Sequence, residues 1–180
     1  VGVALLPLTT RPVVRALVAS LHTERDTGLS VERTLEMTDR VLEFVTRTGA
    51  PDLPSRVEGR EGFDAQAVSH LLDVRSVLVP ARWVALALGA VSAAWVCVRR
   101  RSVVGRRAVG AASSGGAALV LGGGVLLAIA GAVDFDRVFT AFHGLFFAPG
   151  TWVFPDDALL IQLLPLRFWI TAGALWAGLA

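Results

Sequence analysis

The sequence predicts an all-α, polytopic membrane helix bundle: four transmembrane helices, the first truncated here, with an extracytoplasmic helical insert. Three observations carry this expectation. Residues 108–133 run 26 positions without a charge, and at about 1.5 Å per residue that is enough to span a hydrocarbon core of roughly 30 Å. Residues 77–98 form a second apolar block interrupted only by Arg82, whose aliphatic stem can lie in lipid while its head reaches the interface. Between the blocks sit Arg99, Arg100, Arg101, Arg106 and Arg107, and a short loop this basic is retained on the cytoplasmic side.

The elements follow in chain order. Residues 1–20 are apolar but short and Arg-containing, and read as the end of a first span. Residues 21–76 form the outer insert. There Ser30 is placed to cap a helix reaching about Arg47, with Val31, Leu35, Thr38, Leu42 and Val45 at helical spacing and Gly49 and Pro51 to stop it. Such a helix fits flat on the membrane or across the mouth of the bundle. Residues 50–62 read as a loop by their Pro and Gly content. Asp64 can cap a second helix from Ala65, which Pro80 separates from the span at 77–98. Residues 99–107 are the cytoplasmic Arg loop. The span at 108–133 carries Gly115, Gly116, Gly122, Gly123, Gly124 and Gly131; small residues allow close helix packing in lipid, so this span is expected at the centre of the bundle. Residues 134–157 form an outer loop rich in aromatics around His143. Residues 158–180 are the last span, broken by Pro165 and Arg167, with Asp157 placed to cap it.

Composition narrows the function. The chain is 54% hydrophobic with a mean hydropathy of +0.61, above the range of an ordinary soluble domain. All 17 basic residues are Arg, and residues 21–80 hold seven Arg against eleven Asp and Glu. The basic balance is therefore set by topology, with an acidic outside and a basic inside, and it does not imply nucleic acid. The single Cys97 at the inner end of a span offers neither a disulfide framework nor a metal-type Cys pair.

Three histidines, His22, His70 and His143, all fall on the outer side of this topology. His70 has Asp73 three residues on, on the same helical face, where a carboxylate can hold one imidazole nitrogen and leave the other free. The bland alternative is a surface His beside an i+3 acid. His143 stands in FHGLFF, either as an interfacial residue in an aromatic belt or as part of a site. Two ionisable residues from distant parts of an apolar chain, each flanking a span, are functional candidates as a pair. Neither carries metal-ligand spacing with Asp73, Asp156 or Asp157. Ser69 lacks a nucleophile-elbow context, and Ser113 and Ser114 lie in the cytoplasmic half of their span. Arg167 and Arg82 either snorkel to headgroups or clamp a lipid phosphate or carbonyl; Arg167 can also pair with Asp156 or Asp157.

Two stretches resemble one bacterial membrane family. GFDAQAV and SHLLDVRSVL resemble its H-x-x-D-V-[KR] segment. AFHGLFFAPGTWVFPDDALLIQLLPLRFW is similar to its F-H-x-x-F-F, W-x-F, D, L-I and P-x-x-F-W signature. The likeness runs in order through most of residues 29–169, with Phe at positions where the family often has Tyr. The family is that of the lipoprotein intramolecular transacylases (Lit). The resemblance implies a four-helix membrane enzyme with its site at the outer face of the plasma membrane. It implies transfer of the sn-2 acyl chain of a diacylglyceryl-modified lipoprotein to the amine of its N-terminal cysteine. It maps two essential histidines onto His70 and His143, and it implies no cofactor.

That chemistry fits the residues. The substrate's amine is the nucleophile, so the chain needs only a base, a donor for the carbonyl oxygen and a geometry that joins them. Asp73 is then expected to orient His70, and Phe142, Phe146, Phe147, Trp152 and Arg167 to hold the lipid. Two readings stand: this acyltransferase, with the lipoprotein and membrane phospholipid as partners, or a non-enzymatic lipid-binding or accessory subunit in which both histidines are structural.

Overall fold

The computed structural model describes residues 10–179, with side chains described as far as Leu175. Its helices are α1 (Arg11–Ser20), α2 (Glu24–Thr27), α3 (Val31–Thr46), α4 (Ala65–Arg99), α5 (Val103–Val133), α6 (Phe135–Phe146), α7 (Leu159–Leu163) and α8 (Leu166–Leu179). Between α3 and α4 the strands β1 (Arg56–Val57) and β2 (Arg60–Glu61) form an antiparallel hairpin.

The insert folds by local signals. Ser30 Oγ accepts from the Arg33 amide and starts α3; Asp64 accepts from the Ala67 amide and starts α4. The apolar stripe of α3 then buries Met37, Val41, Phe44 and Val45 against Phe63 just before α4, Ala67 and Leu71 at its start, and Leu159, Leu160 and Leu163 of α7. Each fully buried side chain of this kind contributes about 1.5–3 kcal/mol. A second cluster joins Val14, Leu17 and Val18 of α1 to Phe168 and Ala172 of α8.

Residues 50–62 are more ordered than a loop. Glu58 and Gly59 take φ of 50° and 81°, the left-handed pair that a two-residue hairpin turn requires. Arg60 locks the hairpin down by donating to the Thr27 carbonyl and, at 2.6 Å, to Gln162 of α7.

Pro80 does not separate two helices. It lies inside the continuous α4. It removes one backbone donor, but the apolar residues after it leave the remaining backbone groups no partners except one another. The apolar stretches of α4 and α5 are almost wholly uncovered by protein: Trp83 is 67% exposed and Leu119 80%. Apolar surface of that length and exposure belongs in lipid.

Among the described residues, α4 and α5 are the two helices long and apolar enough to cross a membrane. Residues 1–9 of the expected first span lie outside the described residues. The last expected span is split at Leu164–Pro165 into α7 and the shorter apolar α8. Asp157 does not cap it; Ala158 occupies that position with no side-chain bond.

The Gly-rich span is not a packed centre either. A Cβ at Gly115, Gly116, Gly122, Gly123 or Gly131 would meet nothing within 4 Å. Small residues permit close approach, yet of the six glycines only Gly124 is buried, on a helix that packs beside α4, α6 and α8. Gly105 is different: a Cβ there would overlap the Arg99 carbonyl oxygen, so the tight α4–α5 turn needs glycine. That turn folds α5 back along α4 and brings α6 to the end of the bundle that holds the start of α4.

Candidate active site

His70 faces inward from the second turn of α4 and is 8% exposed. His143 projects from the last turn of α6. Their ring centroids are 6.2 Å apart and their planes 27° from parallel, so residues 73 positions apart share one site. Phe147 meets His70 edge-on at 5.0 Å and Phe154 lies 5.6 Å from it. Around His143, Phe139 lies at 3.9 Å, Trp152 at 4.8 Å and Phe142 at 5.6 Å. Phe142 and Phe146 are 55% and 48% exposed and carry the apolar surface outward from the pair. The covering segment 147–158 is held to α4 by Gln66, which donates to the Val153 carbonyl at 2.9 Å and the Gly150 carbonyl at 3.4 Å.

The hydrogen bonds assign one tautomer. His143 Nδ1 lies 2.8 Å from the Phe139 carbonyl oxygen. A carbonyl only accepts, so Nδ1 carries the proton, and in the neutral ring Nε2 carries the lone pair. His70 Nδ1 is buried with no hydrogen-bond partner. Both rings lie outside the apolar runs at 77–98 and 108–133. Burial pushes His70 below the ordinary histidine pKa, the neighbouring His143 pushes it further and the Asp73 charge pulls it back up. Burial also lowers His143, against the opposing effect of its bond to Phe139. Both shifts favour the uncharged imidazoles.

Asp73 is placed differently from the expectation. It is exposed, and His70 Nδ1 has no partner, so the carboxylate reaches His70 through its field and not through a bond. The inward face that buries His70 leaves the i+3 position turned outward. Arg167 is also engaged elsewhere: it donates to both carboxylate oxygens of Asp26 and to the Leu21 carbonyl. It ties α8 to α2 and pairs with neither Asp156 nor Asp157. Phe139 and Phe154 join the site beyond the residues expected from sequence. Phe139 is findable, being four residues before His143 and therefore on its face of a helix; Phe154 stands in the W-x-F of the family signature, which carries no role for it.

The family model of the lipoprotein intramolecular transacylase Lit matches residues 3–169. The chain belongs to the Lit family. Lit is a family of transacylases acting on lipoproteins, so the chain is a member of an enzyme family. A solved structure, the membrane-integral lipoprotein intramolecular transacylase Lit from Bacillus cereus, shares its fold with a TM-score of 0.72 at 16% identity. The alignment covers 99% of this chain and 80% of that one. No curated protein matches the chain. The uncovered apolar surface of α4 and α5 makes this Lit-family chain a membrane protein, and the neighbour of the same fold is itself membrane-integral.

Proposed function

We propose that this chain is a multi-pass plasma-membrane acyltransferase whose site faces the extracytoplasmic side. It moves the sn-2 acyl chain of a diacylglyceryl-modified lipoprotein onto the α-amine of that lipoprotein's N-terminal cysteine. The observation that carries the reading is the His70–His143 pair, 6.2 Å between centroids, half-enclosed by aromatics and opening onto exposed Phe142 and Phe146.

In this reading His143 is the base. Its Nε2 takes a proton from the neutral amine as nitrogen attacks the ester carbonyl carbon. The new N–C bond forms, the sn-2 C–O bond breaks, and the same proton passes to the departing glyceryl oxygen. An ester and an amine become an amide and an alcohol, so no outside reactant is consumed. Holding both ends in one molecule is worth several kcal/mol of barrier. His70 shares a hydrogen bond with the reacting groups, and Asp73 tunes it by charge. Phe142, Phe146, Phe147 and Trp152 line the path of the acyl chains, with membrane phospholipid as the surrounding solvent. Arg167 holds α8 in register and does not clamp lipid.

Expression in cells lacking N-acylating activity, followed by mass spectrometry of a reporter lipoprotein's N-terminal peptide, tests the reading. Wild type yields the N-acyl, S-monoacylglyceryl peptide; His143→Ala does not. An unmodified diacylglyceryl peptide from the wild type would rule the function out.

A further inference from the structure

Five buried side-chain nitrogen or oxygen atoms among the described residues have no hydrogen-bond partner, and two of them belong to the histidine site: His70 Nδ1 and Trp152 Nε1. The second is unexplained by an acyl-chain role. An indole N–H donates only, and native chains rarely bury a donor without an acceptor. The Trp152 ring itself packs against two others, His143 at 4.8 Å and Phe139 at 6.0 Å. The contrast with Trp169 is direct, since its Nε1 donates to the Leu164 carbonyl at 3.0 Å. A Phe at position 152 would fill an apolar belt as well, without an orphaned donor.

We infer that the Trp152 indole N–H is the donor for the ester carbonyl oxygen of the substrate as that oxygen gains charge. This rests on the transacylase reading and adds a catalytic residue to it. Trp152 neighbours the ring whose Nε2 takes the amine proton, so its N–H is at hand for the oxygen of a carbonyl attacked beside His143. When nitrogen bonds to that carbon, the C=O electron pair moves onto oxygen. Trp152 N–H bonds to it without giving up its proton, and the pair returns to carbon as the glyceryl C–O bond breaks. A preorganised donor in a water-poor site acts mainly on the transition state. Segment 147–158, latched by Gln66, must yield to admit the ester, and its closure seats the donor.

The test is steady-state transfer by the full chain in nanodiscs, with a synthetic diacylglyceryl lipopeptide as substrate. Trp152 is replaced by Phe and, separately, by 3-benzothienylalanine, which keeps the bicyclic shape and puts sulfur where the N–H was. In both, kcat is expected to fall about 100- to 1,000-fold, with KM and the acidic limb of the pH profile unmoved and, in the benzothienyl variant, thermal unfolding unmoved as well. A benzothienyl variant with wild-type kcat overturns the donor role alone and leaves an N–H facing a ring. A loss confined to KM also overturns it. A wild type that transfers nothing overturns the transacylase reading, and the donor role with it.

Discussion

Replacing His143 by Asn separates the two nitrogens of that ring. The Asn side-chain N–H stands close to where Nδ1–H stands and can still donate to the Phe139 carbonyl, the bond that measures 2.8 Å in the native chain. What disappears is Nε2, the atom assigned as base. A positioned general base contributes about 10²–10⁴ in rate, which is about 3–5 kcal/mol of barrier at 1.36 kcal/mol per tenfold. The ring contacts to Phe139 and Trp152 are also lost, at about 0.5–1.5 kcal/mol each, so the fold weakens without collapsing. The assay is single-turnover transfer on a diacylglyceryl lipopeptide, read by mass spectrometry, with thermal unfolding on the same sample. The expected result is a rate loss of at least about a hundredfold in a chain that still unfolds cooperatively. Retention of more than a tenth of the wild-type rate would refute His143 as the base.

Other outcomes follow from the same geometry. Because burial lowers both imidazoles, the acidic limb of the pH–rate profile is expected below the ordinary histidine value of about 6.5; a limb at or above it contradicts a buried pair. The stability sign agrees: the unfolded chain binds these protons more readily, so the contribution is present above about pH 6.5 and lost as pH falls through the folded values, measurable by thermal unfolding against pH. Asp73→Asn removes the charge that holds His70 up, so the acidic limb moves lower still. Its rate at neutral pH stays within about fivefold, the scale of an exposed charge; a hundredfold loss would mean a bond absent from the structure. Asp26→Asn and Arg167→Met are expected to couple in a double-mutant cycle by about 1 kcal/mol, with transfer retained at neutral pH; loss of transfer in Arg167→Met alone would return that residue to the lipid site.

What the sequence made legible was local. Ser30 and Asp64 announce their helices because a cap is a contact between residues three apart. The uncharged run at 108–133 needs lipid wherever it goes. The histidines were legible as a pair because both flank spans on one side of a charge-assigned topology. The rest depends on contacts that cross the chain. Pro80 carries a breaker's chemistry, and only the apolar surroundings of α4 overrule it. Asp73 has the right spacing from His70 but the wrong rotation about the helix once the core of α3 and α7 takes the His70 face. Arg167 finds Asp26, 141 residues away, which no nearby acid foretells. The glycines of α5 signal permission to pack, and of the six in its apolar run only Gly124 is buried.

The central claim is that the acyl chain moves within one lipoprotein under the care of His70 and His143. A crossover measurement tests it most directly. Two lipopeptides are mixed with the purified chain, one carrying a deuterated sn-2 acyl chain on an isotopically heavy peptide, the other entirely light. The account predicts N-acylated products in which heavy acyl stays with heavy peptide and light with light, in the wild type and not in His143→Asn. Scrambled labels, or transfer that persists unchanged in His143→Asn, would contradict it.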